Sequence, residues 1–206
     1  MNEVEEIIKT WEKSKRTFRD FLLDLFDLVT FFVFVWWIVL FIRFFLFNPY
    51  TVVWQSMEPT FDEKDFIIVD KISHKVNWYK RWDIVVFVPE GKEVPYIKRV
   101  VWLPWETVKI QDGKVYICTS SSGWQNCNVL EESYLPSDLK TTTTCGITEF
   151  NVTDNAYFVM WDNRNHSTDS RCCFGLGCYS GSTYLAREQD IIWKVSIRLF
   201  PSFTKF

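Results

Sequence analysis

Residues 83–117 run DIVVFVPEGKEVPYIKRVVWLPWETVKIQDGKVYI. Asp83–Val88 and Tyr96–Val101 are short apolar runs rich in β-branched residues and bounded by Pro and Gly, the pattern of strands with little solvent exposure. Thr107–Ile110 and Lys114–Ile117 flank Gln111-Asp112-Gly113, a hairpin turn signal. Tyr50–Val53 and Phe66–Val69 on one side, and Ala156–Met160 and Ile191–Leu199 on the other, carry the same strand character. A mostly β body is therefore expected. From Thr119 to Thr144 the composition turns to Ser, Thr, Cys and Asn without apolar periodicity, which predicts an inserted loop-rich, Cys-containing subdomain at about 119–150 rather than core.

N-terminal to this body lies Leu28–Phe47, LVTFFVFVWWIVLFIRFFLF, with Arg43 as its one charge. As a helix these residues span about 30 Å, the thickness of a bilayer's hydrocarbon core. No polar stripe interrupts Leu28 to Ile42, so the segment suits lipid better than a protein core, and Arg43 can snorkel to the interface. It exceeds the apolar run of a cleaved signal peptide, and no small-x-small site follows it. An uncleaved transmembrane anchor is expected over 21–47, between a tail at 1–20 and an exported domain at 48–206. Lys9, Lys13, Lys15, Arg16 and Arg19 precede the span, and the first basic residue after it is Lys64, so the N-terminus is expected in the cytoplasm.

The net charge of −3, from 23 basic and 26 acidic side chains, gives no reason to expect a nucleic-acid partner. All six cysteines, Cys118, Cys127, Cys145, Cys172, Cys173 and Cys178, fall on the exported side, where disulfides persist. Their irregular spacing and the presence of two histidines, His74 and His166, favour disulfides over zinc. Six cysteines allow 15 pairings, which the sequence leaves open. No metal or cofactor is expected.

Three polar clusters carry the chemistry. They are Ser56-Met57-Glu58-Pro59-Thr60, the Lys98-Arg99 pair within Tyr96–Val101, and Asp162-Asn163-Arg164-Asn165-His166-Ser167-Thr168-Asp169-Ser170-Arg171. Each alone reads as a turn, a solvated lysine or a polar loop. Together with Arg43, Phe45, Phe47, Pro49 and Tyr50 at the membrane exit and the strand Asp83–Phe87, they occur in the order found in type I signal peptidases, and the chain resembles that family from Phe44 to Pro201.

That resemblance implies a bacterial, membrane-anchored serine endopeptidase with a barrel-like β core, cutting signal peptides from exported preproteins after a small-x-small motif. It implies Ser56 as nucleophile and Lys98 as general base, a pairing that needs a lysine whose pKa is lowered by apolar surroundings. In an alternating strand Lys98 shares a face with Tyr96 and Val100. By the same resemblance Ser167 orients the lysine ammonium, and Asp162, Arg164, Asp169 and Arg171 form an ion-pair scaffold. Tyr50, Thr51, Val52 and Val53, with Pro95, Tyr96 and Ile97, hold the extended substrate by strand addition. The backbone N–H of Ser56 is the first oxyanion donor. Trp54 stands where many relatives carry a serine that supplies a second donor. A Ser-His-Asp arrangement through His166 is the less favoured chemistry, because that position varies within the family box. Membrane lipid and preproteins are the expected partners. The alternative is a catalytically weak or inactive anchored ectodomain of the same fold, acting as a binding or export-accessory protein.

The chain holds 7 Gly and 11 Trp, against about 14 Gly expected at average usage. Trp54, Trp82, Trp102, Trp105, Trp161 and Trp193 stand where the family carries glycine, so UGA codons that specify glycine in the organism, translated as tryptophan, are expected at these six positions. Where tryptophan itself occupies these positions, Trp102 and Trp105 are expected to strain the turn around Leu103-Pro104 and Trp54 to crowd the cleft.

Overall fold

The structure is a computed structural model that describes residues 2–53, 55–72, 78–119, 127–143, 145–165, 168–175, 178 and 183–206, with the backbone only at residues 2, 12–16 and 56. The chain divides into two units, Met1–Leu46 and Phe47–Phe206.

The first unit is one continuous helix, α1 (Asn2–Phe41), closed by a π-helical turn at Ile42–Leu46. The charged segment expected as a tail is thus helical as well. From Thr17 to Leu46 the helix is long and apolar enough to cross a membrane. Its large side chains, Phe32, Trp36 and Trp37 among them, are exposed, and the Thr30 hydroxyl donates to the Phe26 carbonyl at 2.8 Å, so this polar group is satisfied within the helix.

The second unit is mostly sheet. Among the described residues its strands are β1 (Phe47–Thr51), β2 (Phe66–Asp70), β3 (Ile84–Phe87), β4 (Tyr96–Trp102), β5 (Thr107–Gln111), β6 (Lys114–Cys118), β7 (Cys127–Val129), β8 (Glu149–Asn151), β9 (Ala156–Met160), β10 (Ala186–Arg187), β11 (Ile191–Phe200) and β12 (Thr204–Lys205). The larger sheet has the order β1-β2-β11-β3-β4-β9-β10, with β12 on β11, and the smaller is β7-β6-β5-β8. The described pairings are antiparallel, so both sheets grow from hairpins and returning crossovers. Register shifts in β11 and between Val100 and Trp102 in β4 bend the larger sheet, which curls into a half-barrel.

Three apolar clusters fill the curl. Val52, Met57, Phe61, Ile67 and Val195 form one on the nucleophile side, and Val85, Phe87, Val100, Tyr157 and Val159 form a second. The third, with Val108, Val115, Phe150 and Phe158, joins the two sheets. Phe150, at the expected end of the insert, is fully buried there. The insert is therefore attached to the core, because β7 and β8 close the smaller sheet on both sides of the β5–β6 hairpin. The cysteines pair as Cys118–Cys127 across β6 and β7, Cys145–Cys172, and Cys173–Cys178.

The suspect tryptophans divide by environment. Trp82 and Trp105 have φ of 77° and 71°, the left-handed region that glycine enters freely and a β-carbon resists. Trp102 and Trp193 lie at register shifts in β4 and β11. The expected strain at Trp102 is not in the turn: this residue ends β4, and its ring is buried edge-on against Phe158. Trp54 lies outside the described residues.

Candidate active site

Strand β4 places Lys98 opposite Val85 of β3 and removes it wholly from solvent. Tyr96, two residues earlier on the same face, lies 4.5 Å from Nζ at its ring centroid, and Trp161, the residue after β9, lies at 3.6 Å. The described hydrogen bond of the ammonium is to the Ile97 carbonyl, at 3.2 Å. Burial pushes the Lys98 pKa well below the ordinary lysine value, and the Asp169 carboxylate only partly opposes it. A lysine so placed sheds its proton easily and can accept one from a neighbouring hydroxyl.

The acids and arginines of the 162–171 segment are buried, and each charge is matched. Asp169 and Arg171 form a two-pronged pair, with Nε to Oδ1 at 2.9 Å and Nη2 to Oδ2 at 2.8 Å. Arg171 Nη1 also donates to the Thr142 and Arg164 carbonyls. Asp162 pairs with Arg99, the neighbour of Lys98, with Nε to Oδ1 at 2.9 Å and Nη2 to Oδ2 at 2.7 Å. Thr60 closes this group, donating to Asp162 Oδ2 and accepting from Arg99 Nη2. Arg164 pairs with Glu132 of the insert and donates to the Tyr134 hydroxyl at 2.8 Å. Burial works against the Arg164 charge, but the Tyr134, Glu132 and Asp162 oxygens outweigh it and hold the pKa above the ordinary value.

Two of the four scaffold members thus have partners outside the box. The sequence reading missed Arg99 and Glu132. For Arg99 a signal was present, since two adjacent cations in a strand destined for burial each need a dedicated partner or a lowered pKa. Glu132 carries none, because its contact with Arg164 crosses 32 positions of aperiodic sequence.

A cavity of about 470 Å³ joins Lys98 to the residues expected to hold substrate. Tyr50, Thr51, Val52 and Val53 line one side and Pro95, Tyr96 and Ile97 another, with Met57, Trp161, Thr168 and Trp193 completing the wall. The lining is dominated by apolar side chains, and extended backbone lies on both sides, from β1 and from the start of β4. Ser56 belongs to the 3-10 turn Gln55–Met57. Its following residue, Met57, shares this cavity with Lys98, and Asn163 donates to the Gln55 carbonyl at 3.1 Å. Arg198 donates to the Thr60 carbonyl at 2.6 Å and fixes the far end of the same loop. Ser167, His74 and His166 lie outside the described residues, as does the side chain of Ser56.

A family model described as signal peptidase, peptidase S26, matches residues 25–193. A signal peptidase I of Bacillus licheniformis is 37% identical over 145 residues, covering 68% of this chain and 74% of that protein. Signal peptidase I S of Bacillus subtilis strain 168 is 35% identical over 146 residues, again covering 68% of this chain and 74% of the relative. The crystal structure of a signal peptidase I from Enterococcus faecalis V583 aligns with a TM-score of 0.39 at 23% identity, over 58% of this chain and 98% of that one.

Proposed function

The chain belongs to the signal peptidase family, peptidase S26, and on that premise we propose that Ser56 and Lys98 form its catalytic dyad. It is a serine protease that removes signal peptides. The observation that carries the assignment of Lys98 is its complete burial at one end of a cavity walled by residues 50–53 and 95–97.

In the first step Ser56 Oγ attacks the carbonyl carbon of the scissile bond while Lys98 Nζ, neutral beforehand, takes the hydroxyl proton. The Ser56 backbone N–H donates to the oxyanion that forms. Collapse of this intermediate transfers the proton from Lys98 to the leaving amine and leaves an acyl-serine. A water then attacks the acyl carbon, Lys98 accepts its proton, and the proton returns to Ser56 Oγ as the free acid departs. Ser167 orients the ammonium during these transfers. Asp162, Arg164, Asp169 and Arg171 hold the two loops and the strand in register, and Arg99 joins them as the partner of Asp162.

Substrate enters as an extended segment between Tyr50–Val53 and Pro95–Ile97, pairing its backbone with theirs. Tyr50, Tyr96, Val53 and Ile97 narrow the cavity, so small side chains on alternate substrate positions fit. The substrates are preproteins whose signal peptides end in small-x-small. The apolar helix anchors the enzyme in the cell membrane with its N-terminus in the cytoplasm and the Phe47–Phe206 unit outside, where such segments emerge. Neither the fold nor the relatives favour an inactive accessory ectodomain.

Incubating the detergent-solubilised protein with a preprotein bearing an Ala-x-Ala site, beside Ser56→Ala and Lys98→Ala, tests the dyad. Cleavage by the wild type alone is expected. Equal cleavage by all three proteins would refute it.

A further inference from the structure

Tyr134 of the insert stands between the two arginines that flank the site. Its hydroxyl accepts from Arg164 Nη2 at 2.8 Å and donates to Glu132 Oε1 at 2.6 Å. Its ring lies 4.0 Å from the Arg99 guanidinium carbon, a stacked cation–π contact. Glu132 in turn is the carboxylate in ion pair with Arg164, whose side chain is wholly buried. Thr141, also in the insert, takes a further bond from Arg164 at 3.2 Å. Most of the described hydrogen bonds that Arg164 donates therefore go to a segment the sequence presents as a loop-rich appendage.

These two arginines are attached to the reacting segments. Arg99 is the chain neighbour of Lys98 and holds Asp162. Arg164 is the neighbour of Asn163, whose amide holds the Gln55 carbonyl just before Ser56. Its own carbonyl is held by Arg171 Nη1 at 3.0 Å. We propose that Glu132 and Tyr134 are positioning residues for signal-peptide cleavage, which fix Arg164 and Arg99 and through them the loop of Asn163 and the strand of Lys98. This inference rests on Ser56 and Lys98 being the dyad. It gives the insert a catalytic purpose: the segment supplies the anion and the phenol that the 162–171 box lacks for its own arginine.

The hydroxyl and the ring of Tyr134 have separable effects. Tyr134→Phe loses the bonds to Arg164 and Glu132 but keeps the ring over Arg99. Tyr134→Ala also removes the ring from Arg99 and so loosens the hold on Asp162 as well as on Arg164. The test measures kcat and KM on an Ala-x-Ala preprotein across pH for the full-length protein in detergent, for Glu132→Gln, Tyr134→Phe, their double variant and Tyr134→Ala, together with the Tm of each. We expect kcat to fall about tenfold in Glu132→Gln and Tyr134→Phe with KM held within about twofold, since misplacement of reacting groups acts on the chemical step. The double variant should be no worse than the poorer single one, because both act through Arg164. Tyr134→Ala should lose more kcat than Tyr134→Phe, while the acidic limb of the rate profile stays in place in both, because Lys98 lies on the opposite face of β4 from Arg99.

Unchanged kcat with a lowered Tm would overturn the proposal and leave the contacts as stabilising only. If Tyr134→Ala does not fold, the kcat of Glu132→Gln and Tyr134→Phe decides. Lys98→Ala, run alongside, separates the two readings. Its activity would remove the dyad, whereas an inactive Lys98→Ala beside fully active Glu132→Gln and Tyr134→Phe would remove the positioning role alone.

Discussion

Lys98 is surrounded by Val85, Val100 and two aromatic rings, and among the described residues no carboxylate stands in ion-pair distance of it. An ammonium in such a place has exchanged water for little, so its pKa lies well below the usual lysine value. In the proposed dyad the neutral amine is the proton acceptor, so cleavage should rise with pH through the Lys98 pKa and level off above it. Stability responds in a linked way. Because the folded-state pKa is below the unfolded value of about 10.4, the unfolded chain binds the proton more readily between the two. Stability is therefore lost as pH falls from about 10.4 to the folded pKa, and the penalty is complete below that. Lys98→Met, apolar and of similar length, should consequently raise the Tm at neutral pH while abolishing cleavage, with the gain shrinking as pH approaches 10. A lower Tm for Lys98→Met at neutral pH would show that the lysine is not desolvated as described. The partner network was only half visible in the sequence. The box 162–171 displays its charges openly, but which acid meets which arginine depends on β4 and the insert, far away in the chain.

At the scale of elements, the strands of 83–117 follow from composition and spacing. Apolar runs of four to six residues between turn signals appear as β3, β4, β5 and β6 with ends shifted by at most one position. Strands β7, β8, β10 and β12 have two or three residues each, too few to show a period, and form because a longer neighbour offers free backbone groups. The turn at Leu103–Glu106 shows where side chain and backbone disagree. Trp105 donates its N–H to the Val152 carbonyl at 3.0 Å, which fixes the turn, while its indole is exposed and its φ is 71°. A β-carbon there costs about 1–2 kcal/mol. Trp105→Gly should therefore raise the Tm by roughly 2–8 °C in calorimetry, given about 2–4 °C per kcal/mol for a domain this size. Trp82→Gly should gain less, because its ring packs on Tyr134 at 5.1 Å. A fall in Tm for Trp105→Gly would remove the backbone argument for glycine at this position.

As a whole molecule the protein combines a long apolar helix with a sheet unit whose cavity, buried lysine and matched ion pairs lie together. The Cys145–Cys172 bond ties the insert to the turn that follows Arg171, so the segment bearing Glu132 and Tyr134 is fastened covalently near the scaffold it completes. The mostly β fold class and the long apolar helix were legible in short contiguous runs. The insert's role was not, because it depends on single side chains reaching across the fold. In the proposed mechanism this cavity delivers the scissile carbonyl of a small-x-small segment to Ser56, with Lys98 removing the proton. An electrophilic peptide ending in Ala-x-Ala with an aryl phosphonate ester at the scissile position traps that event, since attack by Ser56 Oγ expels the phenoxide and leaves a stable phosphonyl-serine. Mass spectrometry of the full-length protein after exposure to this peptide in lipid vesicles should find the adduct on the fragment containing Ser56, and none in Lys98→Ala. An adduct on another residue, or one on Ser56 that forms equally in Lys98→Ala, would contradict it.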